Sequence, residues 1–164
     1  MKFKSIEELK KEGFIGFVSI NELWRDASCI SKEKGVYLVL YVNDGMPIFL
    51  EKGCGGLFKG KNPNVSLREL RENWVVDTPV IYIGKAGGKT SLATLYRRLS
   101  QYLKFGQGEN VGHWGGRYIW QIENAGDLLI CWKPVEDPEE MERELIQSFK
   151  KEYSGKRPFA NLRD

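Results

Sequence analysis

Apolar residues recur along this chain in two different rhythms. Residues 36–42 (VYLVLYV) and 80–84 (VIYIG) are apolar at nearly every step, the mark of strands buried on both faces. Residues 91–104 (SLATLYRRLSQYLK) and 138–153 instead space their apolar side chains three and four apart, as amphipathic helices do. Ser5-x-x-Glu8, Ser19-x-x-Glu22 and Ser66-x-x-Glu69 read as capping boxes that open short helices, the first ending near Gly13 and the third near Asn73. Pro138 with acids in the first turn suits the start of the last helix. Asp44-Gly45 marks a turn into a returning strand at 47–50, and two more strands are expected at 118–122 and 128–132 around an Asn-Ala-Gly-Asp turn. The order predicts an α+β fold: a small central antiparallel or mixed sheet flanked by helices, in one domain over 1–164.

Two side chains break these rhythms. At about 100° per residue, Met141, Leu145, Ile146, Phe149 and Tyr153 form one apolar stripe of the last helix, and Glu142 falls in its middle. A carboxylate on a buried face must be paired, hydrogen-bonded or bound to a cation, so Glu142 is either half of a structural ion pair or a metal ligand or catalytic acid. In the 91–104 helix the stripe comprises Leu92, Leu95, Tyr96, Leu99 and Leu103. Arg97 points away to solvent, whereas Arg98 sits at the stripe's edge one turn before Tyr102, placed for a phosphate, for a buried carboxylate, or simply to snorkel.

Other segments carry charge or glycine without a regular pattern. Residues 52–64 (KGCGGLFKGKNPN) form a basic loop whose Lys52, Lys59 and Lys61 either contact a substrate or are merely solvated. The segment Gly112-His113-Trp114-Gly115-Gly116-Arg117 reads either as a contact to phosphate or base through His113 and Arg117, or as a packed turn. Residues 84–90, with Lys89 before Thr90, follow a strand and precede a helix in the manner of a phosphate-cradling loop. Their spacing is one residue short of that motif, and no apolar strand ending in Asp follows to hold magnesium for a nucleotide.

Composition narrows the chemistry. Apolar residues at 41% and charged residues at 29% describe an ordinary globular chain. Three scattered cysteines and a single histidine exclude zinc-finger ligand sets, disulfide frameworks and most histidine-based hydrolase templates. No apolar run approaches a bilayer span and the N-terminus lacks a secretion signal, which leaves the cytoplasm as the expected compartment and no membrane partner. A net charge of +3 is compatible with a nucleic-acid partner without requiring one.

In order, the chain carries Gly35-Val36-Tyr37, Tyr82-Ile83-Gly84-Lys85, Leu95-x-x-Arg98-Leu99-x-x-Tyr102, Glu142-x-x-Leu145-Ile146 and Pro158-Phe159-Ala160-Asn161. From residue 35 to the C-terminus this resembles the GIY-YIG nuclease superfamily. The resemblance implies a metal-dependent endonuclease acting on nucleic acid, DNA favoured over RNA, with one Mg2+ or Mn2+. Tyr37 would help activate the attacking water and Tyr82 would order the site at the scissile phosphate. Gly84 would permit close approach, Lys85 would assist with charge, and Arg98 would stabilise the transition state. Tyr102 matches a position that is Tyr or His in the family, Glu142 would hold the metal, and Asn161 would brace the site. A tyrosine is a poor base unless a cation lowers its pKa, and Lys85 and the metal are the expected source of that shift. Against the family pattern, residues 1–34 are a helical extension and residues 43–79 an insertion between the first two motif strands. The alternatives are a binding module that keeps the fold without cleavage, and a nucleotide hydrolase using the 84–90 loop.

Overall fold

The computed structural model describes residues 2–57, 59–111 and 113–164. Helix α1 (Ile6–Lys11) opens where Ser5 Oγ accepts from the Glu8 N–H at 3.2 Å. Strand β1 (Ile15–Ser19) follows, and helix α2 (Ile20–Arg25) starts from Ser19, whose Oγ accepts from the Glu22 N–H. Strand β2 (Gly35–Leu40) is buried along its whole length. Helix α3 (Leu67–Asn73), capped by Ser66, precedes strand β3 (Val80–Ala86) and helix α4 (Leu95–Gly106). Two short 3-10 helices, Arg117–Gln121 and Ala125–Asp127, lead to strand β4 (Leu129–Pro134) and helix α5 (Pro138–Glu152). Among the described residues no helix is long and apolar enough to cross a membrane.

The strands form one open antiparallel sheet in the order β1-β4-β2-β3. Side chains alternate across β2 and so feed two cores. Val36, Leu38 and Leu40 pack with Leu145, Ile146 and Phe149 of α5. Tyr37 and Val39 pack with Leu95, Leu99, Tyr102 and Leu103 of α4 and with Trp120 and Phe159. Burial on both faces is why β2 reads as an unbroken apolar run.

Residues 1–34 are not purely helical, because β1 supplies an outer strand of the sheet. Its alternation is hidden by a bulge between Gly16 and Val18, with Gly16 at φ +98° and Phe17 at φ +58°. A side chain at Gly16 would meet the Trp132 ring at 2.6 Å, so this strand can lie on the indole only through a glycine.

The expected strand at 118–122 is instead the 3-10 helix Arg117–Gln121, entered through Gly116 at φ +73°. Tyr118 through Gln121 are all buried, and a short apolar run of that kind has no periodicity to separate helix from strand. The returning strand at 47–50 reduces to one bridge between Phe49 and Ile122. Its place is taken by the side chain of Gln121. The Gln121 amide accepts from the Val65 N–H at 2.9 Å and donates to the carbonyls of Leu50 (3.0 Å) and Val65 (2.9 Å). The Asn-Ala-Gly-Asp segment turns through Asn124 at φ +59° into the second 3-10 helix. Helix α4 begins at Leu95 rather than at Ser91, since Thr94 Oγ1 accepts from the Arg97 N–H and forms the cap. Leu92 therefore lies outside the helix and is 98% exposed.

Gln121→Ala would strip partners from three part-buried backbone groups of the 50–65 segment. The expected loss is about 1 kcal/mol, since part-buried groups regain some hydration, read as a lower urea midpoint with an unchanged slope. An unchanged midpoint would show that the amide does not hold this segment.

Candidate functional site

Tyr37 and Gly84 face each other across β2 and β3. A Cβ on Gly84 would stand 2.4 Å from Tyr37 Cζ and 2.6 Å from its Oη, so the phenol can lie over β3 only where the side chain is missing. Tyr82 and Tyr102 complete an aromatic triangle, with ring centroids 6.0 Å (Tyr37 to Tyr82), 6.3 Å (Tyr37 to Tyr102) and 5.8 Å (Tyr82 to Tyr102) apart. The Tyr102 hydroxyl donates to the Gly116 carbonyl at 2.7 Å, and a side chain on Gly116 would strike both Tyr102 and Tyr82. The glycine turn is thereby fitted onto the tyrosines.

Burial sets the chemistry of these phenols. Loss of hydration pushes Tyr37 and Tyr102 well above the usual tyrosine range, and adjacent tyrosines add to the shift. Tyr82 is pushed up to about 12, by burial first and by the Glu142 charge second, against a weaker pull from Arg98. Lys85 is not among the charges that lower these phenols; its Nζ lies 3.7 Å from a Glu139 oxygen and its charge acts on Glu142. At neutral pH the three phenols are neutral hydrogen-bond donors.

Over this floor opens a cleft of about 1280 Å³. Strand β3 is the outer strand of the sheet, so helices from opposite faces both reach the cleft past it. Helix α4 brings Arg98 and α5 brings Glu142. Glu142 is half-buried, and desolvation holds its carboxyl above the ordinary glutamate value; Lys85 opposes that shift, Glu139 adds to it, and Arg163 and Arg98 oppose it more weakly. The open edge of β3 is closed by the C-terminal tail. Asn161 Oδ1 accepts from the Ile83 N–H and Asn161 Nδ2 donates to the Ile83 carbonyl, both at 2.9 Å, imitating one rung of a missing strand. The Ala160 N–H adds a bond to the Ile81 carbonyl at 2.8 Å. Phe159 anchors the tail among Phe49, Trp74 and Tyr118.

Tyr37, Tyr82, Lys85, Arg98, Glu142 and Asn161 thus line one cleft, with Gly84 and Tyr102 forming its floor. Arg117 joins them from the 3-10 helix, its guanidinium 4.4 Å over the Trp114 ring and 5.8 Å over Tyr118. Four other substrate-contact candidates, Lys52, Lys59, Lys61 and Lys89, are exposed but do not line the cleft. The loop carrying the first three is tied by its backbone to the far end of α4, through Gly56 N–H to Phe105 carbonyl at 2.8 Å. That anchor lies about 10 Å along the helix from Arg98.

His113 is also outside the cleft wall. It is fully buried, its ring tilted by 35° against Tyr102 with centroids 4.2 Å apart, and Gly112 beside it lies outside the described residues. Neutral imidazole packs here as a small aromatic against Tyr102. Desolvation, with the Arg98 charge behind it, holds its pKa well below the usual histidine value. A Gly115 backbone group opposes the shift without making a hydrogen bond of ordinary geometry to either ring nitrogen.

Two cleft residues were invisible to periodicity. Arg97 is exposed, as its helical angle implies, but the solvent it faces is that of the cleft. Arg163 sits in the tail two residues beyond Asn161, and that spacing was the only available signal. Comparison with protein-family models, with curated proteins and with solved structures finds no match to this chain.

His113 is the only histidine, so its titration can be read without assignment. Because the folded pKa is depressed, the ring stays neutral through pH 6.5 while the unfolded chain takes up a proton there. Stability supplied by the neutral ring is full above the unfolded pKa and declines as pH falls toward the folded one. The imidazole proton resonances are expected to show no midpoint near 6.5, the ordinary histidine value; an ordinary histidine titration would contradict the burial.

Proposed function

We propose that this chain is a metal-dependent endonuclease of the GIY-YIG type, hydrolysing phosphodiester bonds in nucleic acid, with DNA favoured over RNA. The observation that carries the reading is the meeting of Arg98 and Glu142, from helices on opposite faces of the sheet, in one cleft floored by Tyr37, Gly84 and Tyr82. Charge supports a polyanionic substrate. Five cationic side chains (Lys85, Arg97, Arg98, Arg117 and Arg163) line the cleft against two carboxylates, Glu142 and Asp164.

Each group then has a role within its own chemistry. Arg98 offers a planar fork of donors to the phosphoryl oxygens and stabilises the charge that builds on phosphorus. Tyr37 and Tyr82, kept neutral by burial, donate hydrogen bonds that orient the attacking water or a phosphate oxygen; they do not take its proton in their resting state. Gly84 keeps the floor flat and Asn161 holds β3 rigid beneath it. Lys85, paired with Glu139, tunes the potential around Glu142.

Among the described residues no three His, Cys, Asp or Glu side chains are grouped to hold an ion. The donor set nonetheless fits one hard divalent cation, because Mg2+ keeps several waters and commonly takes one or two carboxylates plus substrate phosphate. Glu142 supplies that carboxylate: it is half-buried and has no ion pair within 4.0 Å among the described residues. When bound, such an ion would polarise a phosphoryl oxygen and make a coordinated water acidic.

The test is incubation of supercoiled plasmid and defined oligonucleotides with Mg2+ or Mn2+, then with EDTA. Cutting is expected only with the metal. Glu142→Gln should abolish it with the fold intact, and Arg98→Ala should lower kcat by about 10²–10³-fold, the usual effect of removing one transition-state donor. Wild-type turnover by Glu142→Gln would overturn the site, and salt-sensitive binding without metal-dependent cutting would favour a non-cleaving module.

A further inference from the structure

The C-terminal tail does more than close the edge of β3. After Asn161 is clamped to Ile83, two residues remain to place before the tail is tied down again at Asp164. The Asp164 carboxylate takes a bond from Lys150 Nζ at 2.8 Å and from Arg157 Nε at 2.6 Å. Residues 161–164 are therefore fixed at both ends, Asn161 on β3 and Asp164 on α5.

Arg163 lies between these two fastenings. Its side chain is exposed and lines the cleft, and among the described residues its guanidinium makes no hydrogen bond or ion pair. The carboxylate next to it in sequence would be the natural neutraliser, but Asp164 is already occupied by Lys150 and Arg157. The Arg163 charge is thereby left to the cleft, and it reaches both Tyr82 and Glu142, lowering the pKa of each. A cation that is pinned by its backbone, left unneutralised by its neighbour and directed into an already basic cleft is arranged for an anion from outside.

We infer that Arg163 is a substrate-binding residue that grips a phosphate flanking the scissile one, held in place by the Asn161 clamp and the Asp164 ion pairs. This rests on the nucleic-acid reading of the cleft given above. It separates two arginines by task. Arg98 is placed on the floor side, over the tyrosines, where charge develops during reaction. Arg163 comes from the tail, on the side of the β3 edge, and contributes equally to ground state and transition state. Its loss should accordingly raise KM with little change in kcat.

The measurement is binding of the full chain to a short fluorescein-labelled DNA duplex, by anisotropy, in EDTA across a KCl series. Each phosphate neutralised contributes about 0.9 to the slope of log K against log salt. Arg163→Ala is expected to reduce the wild-type slope by about that amount, and Arg163→Lys to retain it. If Arg163 merely balanced Glu142, the effect of Arg163→Ala would vanish in a Glu142→Gln background; as a phosphate contact it persists there. An unchanged slope in Arg163→Ala overturns this inference, even where the wild type cuts DNA. A lowered slope in a protein that never cuts leaves Arg163 as a phosphate contact and sinks the nuclease reading instead. Absence of any binding by the wild type would overturn both.

Discussion

A missing side chain organises this molecule. Tyr37 is an aromatic residue in the most buried strand of the sheet, and its hydroxyl end can lie flat across β3 only because position 84 has no Cβ. Any other residue there would place its Cβ 2.4 Å from the ring, well inside van der Waals contact, and β2 and β3 would have to part or the phenol leave. With the ring in place, Tyr82 and Tyr102 pack beside it and the glycine turn at 115–116 settles on top. The floor of the cleft is thus a packed aromatic layer, stiff in the way that close-packed interiors are stiff.

The second constraint is topological. Were β3 flanked by another strand, α4 and α5 would be separated by the sheet and could not share a site. As the outer strand it ends the sheet, and the tail covers its edge with one side-chain rung from Asn161 in place of a strand. That substitution manages an exposed edge, which otherwise invites pairing with another chain. It also leaves room above the edge for the side chains of both helices and of the tail.

Much of this was legible in the residues, for physical reasons that can be named. The β2 run is apolar at every step because cores lie on both its faces, and Glu142 stood out because a carboxylate interrupts a helical apolar stripe. The capping serines worked because each local signal is also the structural cause. The failures share a different origin. β1 was lost because Gly16 and Phe17, both at positive φ, break the alternation that marks a strand. The 117–121 segment was misread because Gln121, a polar residue in a short apolar run, makes its hydrogen bonds with its side chain to a segment far away in sequence. Which of the two readings of the His113 segment applies was not legible, because a lone histidine beside glycines and arginine carries no local sign that Tyr102 will cover it. Arg163 was missed because nothing in an irregular tail reports which way it faces. Local chemistry announces itself in sequence; partners brought together only by folding do not.

The proposed chemistry turns on whether Glu142 holds a divalent cation beside the tyrosine floor. Paramagnetic Mn2+ reports this most directly, through broadening of side-chain resonances near the ion in the full chain. Broadening of the Tyr82 and Tyr37 rings and the Asn161 amide is expected, reversed by EDTA and lost in the Glu142→Gln protein. Broadening centred elsewhere, or the same broadening in the glutamine variant, would contradict it.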